Sequence, residues 1–207
     1  MKKGLFVILT VFLLSACSMP ETKIYSLHLP ESYGKAGLRE SAGEITAAAG
    51  ASIVIVTNSP RYLAQPYMAY RNSPYQLELS KYSKWVSPPS ELLKEALKDS
   101  LLPTHLFKEI RTSGPAPDGF YLLEVRLKKF ERYDEGNDSF GDLLFEAKLV
   151  SPDGKEMYRG TVSEHIRLEG RTFLGLAKGL SSALSEGLEE VRKSVIMHVP
   201  EHQMPPQ

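Results

Sequence analysis

The fold of this chain is decided by the run Tyr121-Leu122-Leu123-Glu124-Val125-Arg126-Leu127-Lys128. Apolar side chains alternate there with charged ones, which predicts a strand with one face in a core and the other in water. A tight turn over residues 151–154 separates two later runs of the same kind. Their apolar positions are Leu143, Phe145, Ala147 and Leu149 in the first, and Tyr158, Val162, Ile166 and Leu168 in the second. We therefore expect an antiparallel meander of three strands.

Shorter runs upstream predict further strands. Residues 52–57 read Ser-Ile-Val-Ile-Val-Thr, a continuous β-branched run that is typical of a central strand buried on both faces. Alternation of Tyr25, Leu27 and Leu29 predicts a first strand over Thr22–Leu29. The remaining expected elements are a hairpin of Met68–Arg71 and Tyr75–Tyr82, with Tyr75, Leu77 and Leu79 on one face, and a short strand at Phe107–Arg111.

Two long helices are expected. Ser87 is placed to cap the first and Pro88 to occupy its first helical position, while Pro103 ends it. The second runs from about Arg171 to Met197. The apolar positions are Leu93, Ala96, Leu97 and Leu101 in the first helix, and Leu176, Leu180, Leu184, Val191 and Val195 in the second. The order of elements predicts an α+β fold, with both helices on one face of a mostly antiparallel sheet.

A stripe of small residues follows the second helix, at Gly175, Gly179, Ala183 and Gly187. Charged residues elsewhere in that helix exclude a membrane span. The stripe therefore indicates close packing of the helix on the sheet or, as the alternative, a helix–helix contact between subunits.

The N-terminus has the organisation of an export signal. Lys2 and Lys3 precede the apolar stretch 4–14, and the run Leu14-Ser15-Ala16-Cys17 resembles the lipobox of bacterial lipoproteins. This predicts a signal peptide over residues 1–16 and a diacylglyceryl group and an N-acyl chain on Cys17. By resemblance to enterobacterial lipoproteins, Ser18 predicts a lipid-anchored protein on the periplasmic face of the outer membrane.

Composition narrows the function classes. The 25 Lys and Arg residues balance the 25 Asp and Glu residues, so no net charge favours nucleic-acid binding. Cys17 is the only cysteine, which excludes an intrachain disulfide. We expect a lipidated N-terminus and first strand over 17–29, a flexible loop over 30–51, a single α+β domain spanning 22–198 and a disordered tail over 199–207.

No catalytic or metal-binding constellation is found in the sequence. A Gly-x-Ser-x-Gly nucleophile motif and a glycine-rich phosphate loop are both missing. The five histidines lack metal-ligand spacing. Acidic residues cluster at Asp134, Glu135, Asp138 and Asp142, but their spacing does not match a calcium loop, and a solvated turn is the expectation. These observations predict a protein that is not an enzyme.

Residues 56–102 carry a family resemblance. The run Val56-Thr57-Asn58-Ser59-Pro60-Arg61-Tyr62-Leu63 is followed by Met68-Ala69-Tyr70-Arg71, and Trp85 stands before the Pro-led helix. This pattern resembles the ABC-type transport auxiliary lipoproteins, the PqiC-like proteins. The resemblance implies a fold similar to the N-terminal domain of TolB. It also implies as partners a periplasmic MCE-domain protein and an ABC-type transporter complex, with a homo-oligomeric ring as an assembly by analogy.

The same segment supplies candidate partner-binding residues: Arg61, Tyr62, Leu63, Tyr70, Arg71 and Trp85. Tyrosine, tryptophan and arginine are enriched at interface hot spots. The alternative is that Trp85 anchors the core and that the arginines hold the hairpin. Two other functions stay open, a lipid-binding periplasmic carrier and a structural lipoprotein of another envelope assembly.

Overall fold

The computed structural model describes residues 20–29 and 50–199. The predicted signal peptide, Cys17, nearly all of the predicted 30–51 loop and residues 200–207 of the predicted tail lie outside the described residues. The strands are β1 Lys23–Tyr25, β2 Ala51–Asn58, β3 Tyr67–Ser73, β4 Gln76–Trp85, β5 Phe107–Arg111, β6 Phe120–Glu135, β7 Asp138–Val150 and β8 Glu156–Arg167. The helices are α1 Pro89–Leu101 and α2 Phe173–His198, with 3₁₀ turns at Arg61–Ala64 and Leu102–Thr104.

Strand β6 organises the sheet. On one side it pairs with β7 along nearly its whole length, and β7 pairs with β8, so the predicted antiparallel meander is confirmed. On its other side β6 pairs in parallel with two strands in succession. β2 lies along the first half, from Ser52 opposite Phe120, and β3 lies along the second half, ending with Arg71 opposite Tyr133. Pro60, between β2 and β3, interrupts the parallel pairing along β6, because proline has no N–H to donate to the ladder.

The remaining strands extend the two branches. β5 pairs in parallel with β2, β4 pairs antiparallel with β3, and β1 pairs in parallel with the last three residues of β4. The sheet is therefore mixed, with its longest ladders antiparallel. Together with the two helices it confirms the predicted α+β class; the similarity to the TolB domain stays a prediction.

Both helices cover the same face of the sheet. α1 packs on β2 and on α2, and α2 packs on β7 and β8. The small-residue stripe permits this approach, since a Cβ atom on Gly179 would lie 2.5 Å from Leu168 Cδ2 and one on Gly187 2.6 Å from Val162 Cγ1. At these two positions the predicted helix–sheet packing is confirmed. The predicted apolar positions of both helices are buried.

Two local predictions were wrong. α1 begins at Pro89 with Pro88 as its N-cap, and Ser87 does not cap the helix, because two prolines in succession shift the start by one residue. In the hairpin, the second arm begins at Gln76 and not at Tyr75, which lies in the turn and is 95% exposed. Among the described residues, β1 pairs only with residues 83–85 of β4, and no other described strand pairs with the outer edge of β4.

Within residues 20–29 and 50–199, no helix combines the length with the apolar sequence that crossing a bilayer requires.

Candidate functional site

The six candidate residues do not form one surface. Leu63 and Trp85 are buried in the core. Tyr62 and Arg71 lie on the sheet face opposite the helices, whereas Tyr70 pairs with Arg132, which contacts a residue of α2 on the helix side. Partner binding by the four residues outside the core stays a prediction; they are Arg61, Tyr62, Tyr70 and Arg71.

Trp85 occupies the position that the alternative interpretation expected. Its indole is 2% exposed and meets Phe130 edge to face, with 5.1 Å between ring centroids. Nε1 has no hydrogen-bond partner among the described residues. An indole enclosed in this way cannot contact a partner without unpacking the core, so Trp85 acts as a core anchor.

A buried carboxylate holds the other two residues together. Glu131 is 0% exposed, and its two oxygens are shared between two donors. Tyr62 Oη donates to Oε2 at 2.8 Å, and Arg71 Nε donates to Oε1 at 2.5 Å. We call these three residues the Glu131 cluster. It joins the 3₁₀ turn and β3, which are close in the sequence, to β6, which is 60 residues or more further along the chain.

The cluster shifts the titration of its members. Burial, followed by the charge and hydrogen bond of Glu131, raises the pKa of the Tyr62 hydroxyl far above the ordinary tyrosine value. Burial alone lowers the pKa of the Arg71 guanidinium, but the hydrogen bond and charge of Glu131 outweigh it and the net shift is upward. The arrangement therefore maintains a neutral tyrosine and a charged arginine around one carboxylate.

A second buried carboxylate lies beside the cluster. Asp142 on β7 stands opposite Glu131 on β6 and opposite His165 on β8. Its carboxylate lies 2.5 Å from His165 Nδ1 and 3.2 Å from Lys129 Nζ. Asp134, which is also buried, lies on the opposite face of β6, where its partner Arg132 contacts Phe173 of α2.

The prediction of a solvated acidic turn was therefore wrong for Asp134 and Asp142. Asp134 is paired with Arg132 at 3.0 Å and accepts a hydrogen bond from Ser139 at 2.5 Å. Cross-strand partners remove both acids from water. Among the described residues, no group of three or more His, Cys, Asp or Glu side chains is arranged to hold a metal ion.

Tyr70 belongs to a separate arrangement at the start of α2. The Arg132 guanidinium lies 5.1 Å from the centroid of the Tyr70 ring and 4.9 Å from that of Phe173. The Tyr70 hydroxyl donates to Glu78 at 2.6 Å, and this hydrogen bond is the largest cause that raises the pKa of Tyr70. These contacts fix Tyr70 between the hairpin and α2, which is a structural role.

A model of the ABC-type transport auxiliary lipoprotein component family matches residues 39–191. The matched region includes the Glu131 cluster and most of the described chain. This chain belongs to that family. No curated protein matches the sequence of this auxiliary lipoprotein.

Two solved structures have the fold of this auxiliary lipoprotein. Protein XCC0632 from Xanthomonas campestris is 16% identical with a TM-score of 0.65, covering 84% of this chain and 95% of that one. An uncharacterized protein is also 16% identical, with a TM-score of 0.61 and coverage of 85% and 99%. At this identity the similarity is one of fold.

Sequence reasoning missed Glu131, the centre of the cluster. The sequence contains only an indirect sign of this residue. Residues 128–132 read Lys-Lys-Phe-Glu-Arg and interrupt the apolar–charged alternation that begins at Tyr121. The pairing of β6 with β7 slips between Leu127 and Lys129, which leaves Lys128 as the extra residue of a bulge. After the bulge Phe130 faces the helices and Glu131 faces the other side. Of the six candidates, only Arg61 is exposed, at the turn that the cluster holds, while Tyr62, Tyr70 and Arg71 are partly buried.

The raised pKa of Tyr62 predicts a pH effect on the stability of this auxiliary lipoprotein. The stabilisation is fully present below the ordinary tyrosine pKa of about 10 and is lost as the pH rises from there toward the folded-state value. We expect the unfolding free energy, measured by urea denaturation, to fall less steeply with pH in Tyr62→Phe than in the wild type at high pH. Tyr75→Phe, at the exposed hairpin turn, is the matched control and keeps the wild-type slope. Equal slopes in all three proteins would contradict the assignment.

Proposed function

We propose that this chain is a non-enzymatic lipoprotein subunit of an ABC/MCE-type envelope lipid-transport system. It docks a periplasmic MCE-domain protein to the outer membrane and, through that protein, serves an ABC-type transporter complex. A homo-oligomeric ring is part of the proposal. The observation that carries it is membership of the ABC-type transport auxiliary lipoprotein family, since that membership implies a transporter partner.

The N-terminal sequence supports membrane attachment. Cys17 closes the run Leu14-Ser15-Ala16-Cys17, and its thiol is the group that lipoprotein maturation modifies. A diacylglyceryl group and an N-acyl chain together supply the two or more chains that stable anchoring requires. Ser18 supports the outer membrane as the destination.

The turn at residues 61–64 supplies the docking surface of the proposal. Arg61 is exposed there, and Tyr62, the next residue, is fastened to buried Glu131. A guanidinium on a turn that is already ordered loses little further conformational freedom when a partner binds. Arginine is also enriched among the residues that dominate interface energies.

Co-isolation tests the proposed partner. The tagged lipoprotein, purified from detergent-solubilised membranes after mild cross-linking, should bring down an MCE-domain protein identified by mass spectrometry. Arg61→Glu should reduce the yield, whereas Lys155→Glu, in the exposed turn before β8, should not. Repeated absence of an MCE-domain protein from the purified material would count against the proposal.

Removal of the anchor tests the proposed attachment. A Cys17→Ser chain exported by another signal peptide should fold, leave the membrane fraction and fail to restore function in a deletion strain. Its circular dichroism spectrum provides the control for folding. Full complementation by this soluble form would show that the anchor is dispensable and that docking to the membrane is not the function.

A further inference from the structure

A groove of about 620 Å³ lies between the N-terminal segment and α2. We call it the strap groove, because residues 24–28 cross from the sheet edge to α2 and form one wall. The backbone N–H of His28 donates to Ser181 Oγ at 3.0 Å, and Ser181 Oγ donates to the carbonyl of Ala177 at 2.7 Å. These two bonds fasten the strap to the helix, so the groove has two fixed walls. Its volume is in the range of small-molecule sites.

The walls present uncovered aliphatic surface. Ile24 on the strap is 68% exposed, and Leu174 on α2 is 55% exposed. Tyr25 and Ala177 line the groove between them. Two large, exposed aliphatic side chains that line one groove favour a long apolar ligand, because such a ligand removes both from water.

The helix wall of the groove also carries a cationic side chain. Lys178 lines the groove one turn after Leu174, and within residues 20–29 and 50–199 its ammonium group has no ion-pair partner. The hydroxyl groups of Ser182 and Ser185 lie on the same wall, one and two turns further along the helix. An ammonium group with neighbouring hydroxyl donors is suited to a phosphate.

The position of the groove in the chain brings it near the predicted anchor. Lys23, the first residue of β1, is six positions after Cys17 in the sequence. A fully extended chain advances about 3.3–3.6 Å per residue, so a lipid on Cys17 keeps the strap within roughly 20 Å of the bilayer surface.

We propose that the strap groove holds one acyl chain of a membrane phospholipid, with the phosphate of that lipid against Lys178. The proposal rests on the lipid anchor of the proposed function. The acyl chains on Cys17 itself are the competing occupant, but a thioether-linked diacylglyceryl group carries no phosphate and leaves Lys178 without a role. A phospholipid matches both the apolar side chains of the groove and the ammonium group of Lys178.

Photo-cross-linking tests the proposal on the full-length lipidated chain. The chain is reconstituted into vesicles of phosphatidylethanolamine and phosphatidylglycerol that contain a phosphatidylglycerol probe with a diazirine at the end of one acyl chain. After irradiation, mass spectrometry should locate the cross-links on peptides that contain Ile24 and residues 174–185. Ser182→Trp fills the groove from an exposed position and should reduce the yield severalfold, while Met197→Trp, exposed at the far end of α2, should not.

Charge variants test the phosphate contact. Lys178→Glu should reduce the yield severalfold and Lys193→Glu, on the same helix outside the groove, should leave it unchanged. A diacylglycerol probe with the same diazirine should label the groove weakly, and equal labelling by both probes would overturn the phospholipid assignment.

Unchanged labelling in Ser182→Trp would overturn the site. A further outcome would also overturn the site: the wild type is not labelled and Ser182→Trp changes the oligomeric mass. In that case a second copy of the chain fills the groove. If the groove is labelled but no MCE-domain protein is co-isolated, the phospholipid site is supported and the docking proposal fails.

Discussion

Replacing Trp85 with alanine is expected to lower the free energy of unfolding by about 3–5 kcal/mol, the range for aromatic-to-alanine changes in a packed core. The indole is nearly inaccessible to solvent and its closest aromatic neighbour is Phe130. The loss arises from the removed side chain, because the backbone N–H of Trp85 still donates to the Pro66 carbonyl, a bond of 2.7 Å, in the variant.

Trp85→Phe is the matched variant. The indole N–H has no hydrogen-bond partner among the described residues, so phenylalanine sacrifices no hydrogen bond and leaves only a smaller cavity. We expect a loss of no more than about 2 kcal/mol. Urea unfolding followed by far-ultraviolet circular dichroism measures both variants, since Trp85 is the only tryptophan and fluorescence is lost with it.

The same variants separate the two roles considered for Trp85. If Trp85 anchors the core, Trp85→Phe retains co-isolation of the partner while stability falls slightly. A Trp85→Ala protein of nearly wild-type stability that no longer retains a partner would instead place the indole in the interface and contradict the packing described here.

Periodicity predicted the elements because burial repeats locally. The apolar alternation of the meander and the helical faces each depend on neighbours within one segment, as at Phe145 and Leu180, both of which are fully buried. The parallel placement of β2 and β3 along one edge of β6 depends on pairing between distant segments. The periodicity of apolar residues within a segment does not determine which strands pair with each other.

The candidate site was predicted less well for a related reason. An unbroken alternation from Leu127 would turn Glu131 toward the helices and Phe130 toward solvent. The bulge at Lys128 reverses both, so that Phe130 meets Trp85 in the core and Glu131 meets Tyr62 on the opposite face. A one-residue slip exchanges the faces of every later residue in the strand. Tyr62 and Arg71 were identified by their motif, but their shared partner depends on that slip.

Replacing Glu131 with alanine is expected to lower the free energy of unfolding by about 3 kcal/mol, at the low end of the range for breaking a buried ion pair. The carboxylate is fully buried, whereas the Arg71 side chain is 24% exposed and can regain some hydration once its partner is lost. Removing Glu131 also leaves the Tyr62 hydroxyl without the acceptor at 2.8 Å. Glu146→Ala is the surface control: it breaks the partly exposed pair with Lys128, which solvent screens, and should change the stability much less than Glu131→Ala does.

A double-mutant cycle assigns the effect to the pair. Glu131→Ala and Arg71→Ala should together destabilise the protein by less than the sum of the single changes, with a coupling of about 1–3 kcal/mol. Additive losses in urea denaturation would mean that the two side chains stabilise the fold independently, contrary to the geometry. An apolar triple variant, Tyr62→Phe with Arg71→Met and Glu131→Leu, should recover much of the lost stability, because packed apolar groups can replace a buried ion pair. The same triple variant can be tested by co-isolation. If it is stable but does not retain the proposed MCE-domain partner, the Glu131 cluster has a second role beyond stabilising the fold, which is to position the Arg61 turn for docking.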